Sequence, residues 1–159
     1  MNQLTAPRGL ARRGFLRLGA LTLAAVAMPA KLWAAIARPD AAFTATGLDA
    51  TFAELGATPE NSDGIIFTTP DIAENGAVVP VKVEIDGSKL SGVSKIYILV
   101  EKNPNPLSGM FMFPEGTEPY VETRVKVAQT CNLYAVAEVD GKLYMTAKET
   151  KVTLGGCGG

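Results

Sequence analysis

The 159-residue sequence contains no histidine. That removes the commonest general base and the commonest imidazole metal ligand. Neither a Ser–His nor a Cys–His catalytic pair can be assembled from this chain. Cysteine is nearly as scarce, with only Cys131 and Cys157. Two thiols alone cannot close a structural zinc site, which needs four ligands. Covalent haem attachment needs a CxxCH run, which is missing. No resident cofactor or metal is therefore expected, and the chain is not expected to be an enzyme. The one tryptophan, Trp33, lies in a segment that does not read as folded structure. The Cys…Trp…Cys core of antibody domains is accordingly lacking.

That early segment is residues 1–37. Arg8, Arg12, Arg13 and Arg17 make it basic, an apolar run follows from Leu18 to Ala30, and Ala35-Ile36-Ala37 offers a small-residue cleavage pattern. This is the layout of a secretory signal peptide. Its apolar part is shorter than the about 20 residues of a membrane span, and Pro29 also counts against an uncleaved anchor. Arg12-Arg13, followed by Gly14, Phe15, Leu16 and Arg17, fits the twin-arginine (Tat) pattern. Tat export implies a cargo that crosses the membrane folded, with a cofactor or a partner already in place. With no cofactor expected, a partner subunit is the remaining explanation. The mature protein is then periplasmic and free of the membrane.

Charge narrows the class further. Ten of the 15 Lys/Arg and all 16 Asp/Glu lie beyond residue 37, giving that part a net charge of −6. Nucleic-acid binding needs a basic surface and is not expected. Residues 38–159 are enough for one domain with a real core.

Between Pro39 and Gly56 the pattern is helical. Leu48, Phe52 and Leu55 share one face, and Gly56 is placed as a C-cap. Beyond Pro59 the period becomes two: Val81, Val83 and Ile85; Ile96, Ile98 and Val100; Val121, Val125 and Val127. These read as half-buried strands. Asp140-Gly141 between two such runs is a two-residue hairpin signal. Pro80 marks an edge or a bulge. The expected fold is all-β, an immunoglobulin-like antiparallel β-sandwich over residues 38–154 with a short N-terminal helix. Met110–Phe113 is four apolar residues in a row. It reads either as a strand buried on both faces or as a patch covered by a partner.

The two cysteines differ in kind. Cys131 shares parity with Leu133, Ala135 and Ala137, so it reads as a small buried hydrophobe at the start of a strand. A disulfide to Cys157 is the alternative. Cys157 sits in Gly155-Gly156-Cys157-Gly158-Gly159. Glycine allows the widest range of backbone angles, and five residues reach roughly 16 Å at about 3.3 Å each. Residues 155–159 read as a flexible arm that carries a thiol into another protein's cleft. Nothing cationic follows Lys151 to stabilise a thiolate, so Cys157 reads as a handle on which other proteins act.

The chain resembles SoxY, the sulfur-carrier family of the periplasmic thiosulfate-oxidising Sox system. The resemblance is carried by "RRGFLRL", by "PDIAENGAVVPV" from Pro70 to Val81, by "VEKNP" from Val100 to Pro104, by "ETRVKVA" from Glu122 to Ala128, and above all by "VTLGGCGG". It implies that Cys157 carries the substrate covalently, as a cysteine S-thiosulfonate or persulfide. Gly155, Gly156, Gly158 and Gly159 would form the swinging arm. It also implies a heterodimer with a SoxZ-like β-sandwich subunit. The visiting enzymes would be a c-type haem enzyme that couples thiosulfate to the thiol, a metal-dependent hydrolase that releases sulfate, and in many organisms a sulfane dehydrogenase. Cys131 is not a hallmark of that pattern. The competing reading is an exported structural or interaction sandwich with an incidental cysteine; carboxylate chemistry at Gly158-Gly159 would need ATP, which an exported protein lacks.

Overall fold

The computed structural model describes residues 38–154. Two short helices come first, α1 (Asp40–Thr44) and α2 (Leu48–Leu55). Nine strands follow: β1 (Glu60–Asn61), β2 (Ile65–Thr68), β3 (Ile72–Asn75), β4 (Val79–Ile85), β5 (Val93–Val100), β6 (Leu107–Met112), β7 (Tyr120–Val125), β8 (Cys131–Val139) and β9 (Lys142–Leu154). The expected helical stretch is thus two helices. The break falls before Gly47, whose φ of +86° only glycine adopts readily. Gly56 ends α2 in the left-handed region at φ +90°, as its sequence position implied.

The strands form two sheets. The larger runs β1-β9-β8-β5-β6, with β3 also paired to β9; the smaller runs β2-β4-β7. Between them lies the main core, built from Val79, Val81 and Val83 of β4, Ile96, Ile98 and Val100 of β5, and Leu133, Ala135 and Ala137 of β8. The all-β sandwich is as the sequence implied, with one difference in pairing. Both β1 and β3 run parallel to β9, so the sandwich is not antiparallel throughout.

A second apolar layer explains why β5 is not half-buried. Tyr97 and Leu99, on its other face, are 3% and 0% exposed. They pack with Leu107, Val136 and Leu143 beneath Ala42, Phe43, Leu48, Phe52 and Leu55 of the helices. Phe52 meets Tyr134 edge to face, with ring centroids 6.4 Å apart. The described residues from 39 on therefore form three layers: helices, large sheet, small sheet.

Two turn features place these layers. Asp140 and Gly141 connect β8 to β9 with φ of +50° and +78°. Positive φ at both central residues suits the twist of a tight hairpin. Pro80 lies in β4, the central strand of the small sheet, yet β2 pairs with β4 only as far as Lys82. At Pro80 the strand has β7 alone as partner, so the residue sits at a local edge that tolerates a missing N–H.

Candidate functional site

The expected signal (residues 1–37, with Arg12 and Arg13) and the expected arm (Gly155, Gly156, Cys157, Gly158, Gly159) lie outside the described residues. What the structure describes is the strand that ends at Leu154, just before the expected arm. Strand β9 pairs with β8 from Lys142 to Thr150, where its partner is Cys131, the first residue of β8. Beyond Thr150 it changes partner. Lys151, Val152 and Leu154 register against Ile72, Ala73 and Asn75 of β3. The Lys151 N–H donates to the Asp71 carbonyl at 2.9 Å. The next N–H, of Val152, donates to the Thr130 hydroxyl at 3.0 Å. Successive amides of a strand point to opposite sides, so β3 lies on the side of β9 away from β8.

Further bonds tie the two strands to each other and, through Gly76, to the body. The Thr153 hydroxyl donates to the Glu74 carbonyl at 3.2 Å. The Asn75 side chain accepts the Ala77 N–H at 2.9 Å, and the Gly76 carbonyl accepts the Val127 N–H at 2.7 Å. Further back, Thr150 is fully buried against Thr69, and Lys148 reaches the Thr69 carbonyl. The stretch Pro70–Asn75 is therefore the brace of β9. Ile72 and Val78, near the base of the expected arm, are 59% and 51% exposed, among the exposed polar residues Asp71, Glu74, Asn75, Lys151 and Thr153.

Cys131 is a free, buried thiol with 4% exposure. Burial pushes its pKa up, which disfavours the nucleophilic thiolate. It belongs to the main core, as its parity in the sequence implied. Among the described residues, no three of Cys, Asp and Glu come together where they could hold a metal ion.

Met110–Phe113 departs from burial on both faces. Strand β6 is the outer strand of the large sheet. Met112 is 49% exposed, while Met110, Phe111 and Phe113 are half-buried. Across from it stands β7, an outer strand of the small sheet, with Tyr120 46% exposed. Between the two edges runs a groove of about 480 Å³, lined by these residues with Val121 and Glu122. No sequence signal marked Tyr120, because it lies on the polar parity of its strand.

Comparison with known proteins identifies the context of this scaffold. The family model for the sulfur oxidation protein SoxY matches residues 50–157. The chain belongs to the SoxY family. The solved structure of the sulfur carrier protein SoxY from Chlorobium limicola f thiosulfatophilum is similar, with 37% sequence identity and a TM-score of 0.58. That match covers 67% of this chain and 94% of the Chlorobium chain. No curated protein gives a significant match. Membership in the SoxY family places the chain in sulfur oxidation and in the context of a Sox system.

Proposed function

We propose that the protein is a covalent carrier of sulfur intermediates in thiosulfate oxidation, with Cys157 as the carrying residue. The observation that supports this most is the join at Leu154. A strand held by bonds on both sides through Val152 is followed at once by Gly-Gly-Cys-Gly-Gly, in a chain whose other thiol is buried. A stiff base with a side-chain-free tip delivers one sulfur atom to a narrow cleft. It also makes each reaction effectively intramolecular once a partner docks.

The chemistry is done by others. A c-type haem enzyme joins the Cys157 thiol to the outer sulfur of thiosulfate. The new S–S bond releases one proton and two electrons, and the haems accept the electrons. A metal-dependent hydrolase then adds water across the bond to the sulfonate, giving sulfate, a proton and a persulfide on Cys157. A sulfane dehydrogenase is the next candidate visitor. The protein itself is no enzyme in this reading.

Residues 1–37 serve as a Tat signal, residues 38–154 as the carrier domain and residues 155–159 as the arm. The mature chain works in the periplasm as a heterodimer with a SoxZ-like subunit. The β6–β7 groove is where that subunit sits: Met and aromatic side chains are enriched at interface cores, and this pair of sheet edges is otherwise uncovered.

The test is reconstitution with Cys157→Ser. Thiosulfate-dependent turnover is lost while circular dichroism matches the parent. Intact-mass analysis of the parent after turnover finds sulfur adducts on the peptide containing Cys157. Undiminished turnover of the serine variant overturns the carrier reading and favours a structural or interaction domain.

A further inference from the structure

We propose that the buried Thr69–Thr150 hydroxyl pair, backed by Lys148, is a latch that sets the register in which β9 runs beside β3 up to Leu154, the residue before the expected arm. The two residues are 81 positions apart, and their oxygens are 3.1 Å apart. Thr69 is 3% exposed and Thr150 is 0% exposed. Thr150 also donates to the Pro70 carbonyl at 3.0 Å. A hydroxyl has one proton, so with that proton spent on Pro70, Thr69 must be the donor to Thr150. The bonds then run in one direction, from Thr69 to Thr150 to Pro70.

Lys148 closes a second link. Its ammonium donates to the Thr69 carbonyl at 2.7 Å and pairs with Asp71 at 2.9 Å. Lys151 adds the amide bond to the Asp71 carbonyl. Three residues of β9 thus grip three consecutive residues, 69 to 71. These are the residues by which the chain crosses from β2 in the small sheet to β3 beside β9.

Position gives this grip a role beyond packing. It lies where β9 loses β8 and takes up β3. An apolar pair would fill the space but impose no register, because dispersion and burial are not directional. Two hydroxyls and an ammonium allow one alignment of Thr150 on Pro70, and that alignment fixes the β3 register through Leu154. A slip of one residue would turn each following side chain of the paired segment to the opposite face. Thr69, Thr150 and Lys148 are therefore positioning residues for delivery. This role rests on the carrier reading; the register itself does not.

The experiment uses the complex with its partner subunit and three variants: Thr69→Val with Thr150→Val, Thr150→Ser, and Lys148→Met. Hydrogen exchange at the Lys151 and Val152 amides quickens by about tenfold in the double variant, while amides of the β8–β9 hairpin keep their parent rates. Labelling of Cys157 by a small thiol reagent is unchanged. Enzyme-driven loading of Cys157 falls several-fold, mainly through KM. Thr150→Ser restores both exchange and loading. Lys148→Met, altered at a residue 38% exposed, reproduces the faster exchange and weaker loading should the double variant fail to fold. Parent-like exchange at Lys151 and Val152, or parent-like loading despite faster exchange, overturns the latch. If Cys157→Ser loads as well as the parent, the carrier reading fails instead, and the exchange rates still decide whether the pair sets the register.

Discussion

Glu138 accepts the hydroxyl of Tyr97 at 2.6 Å and, in the same carboxylate, the ammonium of Lys95 at 2.9 and 3.2 Å. Lys95 and Glu138 are cross-strand partners on β5 and β8, and their side chains are only 18% and 17% exposed. Such a pair is held in place by both its strands and is poorly screened by water. Glu138→Ala removes the acceptor from two donors at once, leaving a mostly buried ammonium and a buried hydroxyl. The expected loss is on the order of 2 kcal/mol, between exposed and fully buried pairs. Urea unfolding measures it; a change within about 0.5 kcal/mol would class the cluster with ordinary surface sites.

Tyr97 also sets an alkaline limit. Its pKa is raised, first by burial and then by the bond to Glu138. The folded state therefore holds the phenol proton more tightly than the unfolded chain does. The stability this gives is present below the unfolded tyrosine pKa of about 10 and is lost as pH rises above it. Unfolding free energy measured from pH 9 to 11 should fall for the parent. Tyr97→Phe should flatten part of that fall while costing about 1 kcal/mol at neutral pH. An alkaline limb as steep as the parent's would show that Tyr97 does not contribute to it.

Gly141 occupies a position that a side chain strains. Its φ is +78° within the Asp140-Gly141 turn, and a Cβ there would meet nothing within 4 Å. The cost of Gly141→Ala is then purely one of backbone conformation, roughly 1–2 kcal/mol. Gly64→Ala is the opposite case. A Cβ at Gly64 would lie 2.8 Å from the Leu90 Cβ and 3.3 Å from the Leu90 backbone nitrogen. Its cost is crowding, about 1–3 kcal/mol. Thermal unfolding of both variants checks this; a Gly141→Ala protein as stable as the parent would refute the turn geometry.

These positions also show what the sequence could reveal. The Asp-Gly turn, the Gly56 cap, the alternation of β4 and the burial of Cys131 rest on local chemistry, and each was legible. The burial of Tyr97 and Leu99 was not, because a strand's period does not say that helices cover its second face. The parallel pairing of β3 with β9 joins residues 79 positions apart in register, through a strand of four residues with little alternation. Nothing in the sequence marked Thr69 or Thr150, for the same reason. Met110–Phe113 read either as a strand buried on both faces or as a patch covered by a partner; the exposure of Met112 counts against the first, and only the neighbouring strands could reveal it.

Cys131 should behave as an interior residue while the fold lasts. In the Cys157→Ser protein it is the only thiol, so its labelling can be followed alone. Burial and a raised pKa both predict labelling orders of magnitude slower than for an unfolded cysteine, released when denaturant opens the domain. Cys131→Ser buries a hydroxyl in place of sulfur and costs about 1–3 kcal/mol. Cys131→Ala, which leaves no polar atom, should cost less and still support carrier turnover. Fast labelling of Cys131 in the folded protein would contradict its burial.

The groove between β6 and β7 gives the last prediction. Met112 and Tyr120 are 49% and 46% exposed on outer strands of the two sheets. Charges placed there disturb little of the isolated domain, within about 0.5 kcal/mol. At the core of an interface each would be desolvated without a partner charge. Met112→Asp and Tyr120→Asp should therefore weaken association with the proposed SoxZ-like subunit by at least about tenfold each, a cost of the size typical of interface anchors. Ile66→Asp is the control, since Ile66 is 49% exposed on β2 and lies outside the groove. Titration calorimetry with the purified subunit reads all three. Loss of binding with Ile66→Asp alone would move the interface to the outer face of the small sheet, away from β6.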